Sequence, residues 1–487
     1  MRALRRTRIV CTLGPASDTR SVIRALVGAG MDVARINFSH VGGEKEVRAL
    51  VENVRSIARS QGRHVALLQD LQGPKIRTGR LTGGAVVLTR HRPVTLTSRS
   101  VIGGQAVIPI SHRALVDALK PEDRVLLADG EIELRVRSKE GRDAQAVVVR
   151  GGLLGERKGV TAPGCEVGLP AMTAKDHDDL RLGAELGFDF VALSFVRSAA
   201  DLAACRRAMA RLSWRAPADG NRHAGANAEA PLLIAKLERP QALKHLDAII
   251  QSADAVMVAR GDLGVELSLA QVPAVQKDVI ERANQAGKPV ITATEMLESM
   301  VRSNRPTRAE ASDVANAIWD GTDAVMLSQE TSVGQHPVAA VRAMASICVA
   351  AEAHPSYARE RPVWTEAGSP GSAIAHAAAA VAAELGCRAI IAFTETGATA
   401  LRVAKAHPTV PIVAASPHAS TLRRTALYPG VVPVEVEAAR DTDELTSSAT
   451  AAALKSGIVR RRDLVVVVAG VASRPGQTNL LKVVSVP

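Results

Sequence analysis

The chain has 487 residues, of which 47% are apolar and 2% aromatic, and a formal net charge of +12. That length exceeds one hydrophobic core and implies about two to four domains, and the apolar fraction excludes a disordered chain. No apolar run approaches the ~20 residues of a membrane span, and dispersed basic residues with so few aromatics argue against a nucleic-acid binder.

The basic start, Met1 to Arg8, runs into strand-like residues rather than the apolar core of a signal peptide. The five cysteines (Cys11, Cys165, Cys205, Cys348, Cys387) show no CxxC pair. They read as structural thiols in a reducing compartment, so the chain is expected to be cytoplasmic. Short apolar runs at 8–12, 32–36, 65–69, 189–193, 232–236, 255–259, 289–293 and 323–327 read as parallel strands buried on both faces. Their spacing fits βα units and predicts an α/β fold, a (β/α)8 barrel. The long interval after residue 69 reads as an inserted small β-barrel lid, with strands at 85–89, 94–97, 124–127, 132–137 and 146–149. Glycine turns separate them. Residues 213–230, rich in Ala, Gly, Asn and Pro, read as a surface insertion. A helix at 372–385 and strands at 388–393, 410–414, 431–434, 464–469 and 480–486 predict a separate C-terminal α/β domain. The expected division is 1–73 barrel, 74–170 lid, 171–345 barrel and 346–487 C-terminal domain.

Polar residues recur at one end of the barrel runs, where barrel enzymes place their catalytic groups. Lys236 and Glu238, two apart in LLIAKLE, leave the same face of a strand end. Asp262 follows the next strand in VMVARGDLG. Two carboxylates from adjacent strands suit one Mg²⁺ or Mn²⁺, and a lysine beside the ion suits phosphoryl transfer. The glycines around Asp262 allow backbone N–H groups, Gly261 among them, to approach an anion. Thr294 and Ser328 follow the last two strands in equivalent places. Arg35, Asn37, Ser39 and His40 follow the second, where an arginine fork suits phosphate. Asp70 and Arg77 flank the turn at which the chain leaves the barrel.

The chain resembles pyruvate kinase through RIVCTLGPAS (8–17), ARINFSH (34–40), DLQGPKIRTG (70–79), KGVTAPG (158–164), IAKLE (234–238), MVARGDLGVE (257–266), ITATEMLESM (291–300), NRPTRAE (304–310), DGTDAVMLSQET (320–331) and PGQTNLLKVV (475–484). The resemblance implies phosphoryl transfer from phosphoenolpyruvate to ADP, giving pyruvate and ATP, in a homotetramer. It implies that Glu238 and Asp262 hold the divalent ion and that Gly261, Asp262 and Thr294 receive the substrate carboxylate. Lys236 would stabilise the phosphoryl group and the enolate, and Arg35 would grip phosphate. Asn37, His40, Arg77 and Lys158 would lie near the nucleotide phosphates, and Ser328 in a proton-delivering network. In potassium-dependent relatives, groups matching Asn37, Ser39, Asp70 and the Leu71 carbonyl hold K⁺, and a glutamate stands where this chain has Lys75. That lysine is expected to serve as a built-in cation, so K⁺ is not required. Glu295 replaces a usual glutamine and is expected to pair with a neighbouring arginine. Val333 replaces a lysine found in some relatives. The turn with Thr394, Thr396, Gly397 and Thr399 sits where relatives bind phosphorylated effectors; it reads either as that site or as a plain helix cap. A Mg²⁺-dependent aldolase or lyase of pyruvate or oxaloacetate would also use Glu and Asp at strand ends, but would lack the inserted and C-terminal domains.

Overall fold

The computed structural model describes residues 4–165, 167–214, 230–358, 364, 366, 368–438, 441–470 and 478–487. The chain opens with β1 (Arg8–Leu13), β2 (Val33–Asn37) and β3 (Ala66–Asp70). It then builds β4 (Ala85–Leu88), β5 (Pro93–Thr97), β6 (Val107–Pro109), β7 (Arg124–Leu127), β8 (Ile132–Glu140), β9 (Asp143–Arg150), β10 (Gly152–Gly155) and β11 (Val160–Thr161). Next come β12 (Phe190–Leu193), β13 (Leu232–Leu237), β14 (Ala255–Ala259), β15 (Val290–Ala293) and β16 (Ala324–Leu327). These five join the first three in a closed barrel of order β1-β16-β15-β14-β13-β12-β3-β2. The apolar runs close in this way because nearly every strand residue is buried, packed by its neighbours inside and by helices outside. The helix Glu44–Ser60 is typical of the outer ring: Val47, Leu50, Val51, Val54, Ile57 and Ala58 share its buried face.

The inserted strands form a six-stranded sheet, β11-β7-β8-β9-β5-β6, beside the pair β10-β4. The lid therefore has three short strands, β6, β10 and β11, that the sequence pattern did not reveal. At the lid's stem Gly73 has φ 67°, and its N–H donates to Asp176 Oδ1 at 3.0 Å. A Cβ there would come within 3.0 Å of the Phe195 ring, so only glycine fits. The surface insertion expected at 213–230 lies outside the described residues from 215 to 229.

The last domain is one sheet, β19 (Val431–Glu435), β18 (Ile412–Ser416), β17 (Ala389–Phe393), β20 (Leu464–Ala469) and β21 (Leu480–Ser485), in that spatial order. Only β21 runs antiparallel to its neighbour. This domain docks on the floor of the barrel, where the strands begin. Four aspartates, each immediately before a strand, accept the backbone N–H at or near the start of a neighbouring strand. The bonds are Asp32 to Ile9 at 2.9 Å, Asp189 to Leu67 at 2.8 Å, Asp254 to Leu233 at 2.7 Å and Asp323 to Val290 at 2.8 Å. The C-terminal domain engages two of them with buried cations: Lys405 reaches Asp323 at 2.7 Å and Arg423 reaches Asp189 at 2.8 Å. With the floor covered, the opposite mouth is left to the lid and to the polar residues that end the strands.

Candidate active site

Lys236, near the end of β13, is the hub of the mouth. Its ammonium lies 3.1 Å from Asp70 at the end of β3, 2.9 Å from Glu238 and 2.7 Å from the Ser194 hydroxyl after β12. Burial alone would lower its pKa, but Asp70 and Glu238 outweigh burial and raise it, so the group stays charged. Arg35 on β2 donates to Asp70 at 2.7 Å and to the Thr12 hydroxyl at 2.7 Å, which fixes its guanidinium in the mouth. Burial would push Asp70 up, yet Lys236 and Arg35 hold it below the usual carboxylate range.

Glu238 behaves differently. Burial raises its pKa, Lys236 opposes that, and Asp262 raises it again. Two carboxylates from adjacent strand ends thus repel each other across the mouth. Glu238 is also held by the Phe195 N–H at 2.7 Å. Asp262, in the helix Arg260–Glu266 directly after β14, is more open, with a side chain 38% exposed. Glu238 and Asp262 fit a divalent cation: the donor set is hard oxygen, and its mutual repulsion is what a cation relieves.

Thr294 and Glu295, just past β15, both take positive φ, 67° and 54°, which is uncommon for any residue but glycine and a strained conformation for the β-branched Thr294. Arg260 holds the turn by donating to the Thr294 carbonyl at 2.9 Å and the Glu295 carbonyl at 3.1 Å, while pairing with Asp313 at 2.8 Å. The strain turns the Thr294 hydroxyl toward the Gly261 N–H, 2.7 Å away. The expected pairing of Glu295 with an arginine is corrected: its carboxylate is exposed and takes no ion pair among the described residues, and Arg260 binds the backbone instead. Ser328, after β16, gives its N–H to Glu330 at 2.6 Å, and its hydroxyl oxygen is buried without a partner among the described residues. Val333 is 54% exposed.

On the lid side Arg77 bridges to Gly159, which brings it beside Lys158. His40 is lowered by partial burial and then by Arg77, Lys75 and Arg35, which collects these cations on one side of the mouth. Asn37 turns its side-chain oxygen to the Ser39 N–H at 3.1 Å, and the Leu71 carbonyl accepts the Ser194 hydroxyl at 2.7 Å. Lys75 pairs with Asp262 at 3.6 Å and with the lid's Asp129 at 4.0 Å, so the lysine bridges barrel and lid.

The turn at 394–399 lies in the C-terminal domain, on a different domain from the mouth. The Thr394 hydroxyl accepts the Gly397 N–H at 2.9 Å, the Thr399 hydroxyl meets Thr478 at 2.9 Å, and Thr396 is half-buried. Sequence reasoning missed Ser194, Glu266 and Arg260. Glu266 is pushed up to about 7 by burial, which Arg239 opposes and Asp262 and Glu238 reinforce.

Comparison with known proteins shows the family. The family model for the pyruvate kinase barrel domain matches residues 4–341, and that for the pyruvate kinase alpha/beta domain matches residues 372–484. A pyruvate kinase of Mycobacterium tuberculosis is 42% identical over 480 residues, covering 98% of both chains. One of Geobacillus stearothermophilus is 41% identical over 98% of this chain and 80% of its own. A crystal structure of a pyruvate kinase from Cryptosporidium parvum superposes with a TM-score of 0.90 at 34% identity, covering 99% of this chain and 96% of that one. The chain belongs to the pyruvate kinase family. It is a phosphotransferase of that type.

Proposed function

We propose that the chain transfers the phosphoryl group of phosphoenolpyruvate to ADP, giving pyruvate and ATP as a cytoplasmic glycolytic enzyme, with no K⁺ requirement. The observation that carries this reading is Lys236, held charged between Asp70 and Glu238 with Asp262 one strand away. Glu238 and Asp262 would hold Mg²⁺ or Mn²⁺, which when bound neutralises charge on the phosphoryl oxygens. Arg35 and Lys236 grip the phosphoryl group, and Lys236 remains to stabilise the enolate oxygen after transfer. The Gly261–Asp262 backbone and Thr294 orient the substrate carboxylate. Ser328, with its unengaged hydroxyl, belongs to the path that brings a proton to the enolate carbon. Asn37, His40, Arg77 and Lys158 take the nucleotide phosphates. Asn37, Ser39, Asp70 and Leu71 form the monovalent-cation region, and Lys75 supplies fixed positive charge at its border.

Family membership favours a homotetramer divided at residues 73/74, 170/171 and 345/346. The turn bearing Thr394, Thr396, Gly397 and Thr399 is proposed to bind a phosphorylated effector. Glu395 beside it favours a monophosphate over fructose 1,6-bisphosphate, and strong activation by the bisphosphate would overturn that preference. The deciding experiment couples pyruvate formation from phosphoenolpyruvate and ADP to a readout, with Mg²⁺ present and tetramethylammonium in place of K⁺. Full turnover is expected. No pyruvate under any cation condition would refute the activity, and turnover only with K⁺ would refute the role of Lys75.

A further inference from the structure

The turn at 194–197, between β12 and the helix Ala199–Ala210, touches both chain segments that join the lid to the barrel. On the outgoing segment, Gly73 packs so closely that a Cβ there would stand 3.0 Å from the Phe195 ring and 3.1 Å from the Ser194 Cβ. On the returning segment, the Val167 carbonyl accepts the Arg197 guanidinium at 3.3 Å, and Asp201 holds that guanidinium at 2.9 Å. The same turn reaches the mouth, where the Phe195 N–H donates to Glu238 at 2.7 Å. We propose that Phe195 is a positioning residue that couples the lid to the divalent-cation site, so that the cation steadies the lid stem and the stem sets the affinity for the cation. This coupling rests on Glu238 and Asp262 holding that cation, as proposed above.

Phe195 joins these contacts in one constrained residue. Its backbone takes φ 57°, a left-handed conformation uncommon for a bulky side chain, which persists only where the surroundings enforce it. Two groups grip the ring. Gly73 lies against it, and the Arg239 guanidinium lies 5.1 Å from its centroid while pairing with Glu266 at 3.8 Å. Arg239 directly follows Glu238 in the chain, so the ring is held by the lid stem and by the neighbour of a cation ligand. Any displacement of the ring carries the N–H of the same residue with it. Hydrogen-bond partners of a ligating group fix its orientation, and losing one typically costs about 10–100-fold in metal affinity.

The linkage runs both ways, as any coupling of binding free energies must. With a cation on Glu238 the carboxylate is fixed, the Phe195 N–H is fixed by it, and the ring seats Gly73, whose own N–H is held by Asp176 at 3.0 Å. Displacing the stem unseats the ring and loosens Glu238. Ser194 gives the turn a second hold on the mouth: its hydroxyl accepts the Lys236 ammonium at 2.7 Å and donates at 2.7 Å to the carbonyl of Leu71, two residues before Gly73.

Mn²⁺ alone, added to the full-length protein without phosphoenolpyruvate or ADP, tests the coupling apart from turnover. Free Mn²⁺ is counted by its paramagnetic resonance signal, and the lid stem is followed by amide hydrogen exchange. In the wild type Mn²⁺ should slow exchange of the stem amides around Gly73 several-fold. Phe195→Leu, which keeps apolar volume but loses the flat ring, should weaken Mn²⁺ binding about tenfold, the lower end for a lost ligand partner. Gly73→Ala, which touches neither Glu238 nor Asp262, should weaken it comparably by displacing the ring. The double variant should bind no more weakly than either single one, because both act through one contact. In both single variants Mn²⁺ should no longer slow exchange at the stem. Wild-type affinity in either variant, additive losses, or wild-type exchange that ignores Mn²⁺ would overturn the coupling. Should Gly73→Ala fail to fold, Phe195→Leu and the wild-type exchange decide. Absence of Mn²⁺ binding by the wild type would overturn the cation site itself, and the coupling with it.

Discussion

The two ends of the barrel use the same groups, aspartate or glutamate beside lysine or arginine, for opposite ends. At the floor Asp32, Asp189, Asp254 and Asp323 each satisfy a backbone N–H and at least one cation. Arg423 and Arg55 hold Asp189 below the usual range despite its burial. At the mouth the balance is left incomplete: Glu238 is raised by burial and by Asp262, and Glu266 is raised for the same reasons. Completed networks fix a fold, whereas incomplete ones wait for a ligand. The barrel's division into a stability face and a catalytic face is thus visible in carboxylate chemistry.

Removing one cation at each end should break the comparison most sharply. Lys405→Met leaves Asp323 buried without its ammonium, and breaking a buried pair costs about 3–5 kcal/mol. Denaturant unfolding should record that loss while turnover of the folded fraction stays near normal. Lys236→Met should do the reverse, lowering kcat by about 10²–10³ through loss of charge opposite the transferring group. Its unfolding midpoint should move less than that of Lys405→Met, because the mouth's charges are already imbalanced. If Lys405→Met abolished kcat and Lys236→Met only destabilised, the division between the faces would be wrong.

Lys75 sharpens the comparison within the mouth itself. Its ammonium stands 3.6 Å from Asp262 and 4.0 Å from Asp129, and its side chain is 30% exposed, so its pairs are screened and readily exchanged. Lys75→Glu should convert the enzyme to one whose turnover rises severalfold with K⁺ at constant ionic strength. It should also lower the Mg²⁺ concentration needed for half-activity, by less than tenfold, since the lost ammonium and the added carboxylate both favour a divalent cation beside Asp262. A variant indifferent to K⁺ would remove Lys75 from the monovalent-cation region.

How much of this was legible in the sequence follows from which forces act locally. Runs such as Ala255–Ala259 declared themselves because strands buried on both faces must be continuously apolar. Lys236, Glu238 and Asp262 were legible because strand ends are fixed by those runs. The lid strands β6, β10 and β11 are two to four residues long and are held by pairing rather than by pattern, so composition could not announce them. Ser194 gains its place only when β12 closes against β13 and brings Lys236 within 2.7 Å. Asp176 did carry a local signal, Thr173 three residues before it, a capping box that also anchors the lid stem. The floor aspartates were visible before their strands, yet nothing in a single sequence separates a carboxylate that completes a network from one that awaits a metal.

The smallest expected effect lies in the titration of Glu266, whose side chain is 6% exposed and whose pKa stands at about 7. A carboxyl raised in the folded state stabilises the fold fully below its unfolded pKa, and that contribution is lost as pH rises through the folded value. In the metal-free enzyme the melting temperature should therefore carry a component that declines from about pH 4.5, the ordinary value for a glutamate, to about 7. Glu266→Gln should flatten it, with changes of a few degrees at most because Arg239 already offsets part of the burial. Mg²⁺ bound by Glu238 and Asp262 cancels the two charges that help burial raise Glu266. Saturating Mg²⁺ should therefore move the decline to lower pH in the wild type and leave the Gln variant's profile flat. A decline that ignores Mg²⁺ would mean that the ion does not sit between these carboxylates.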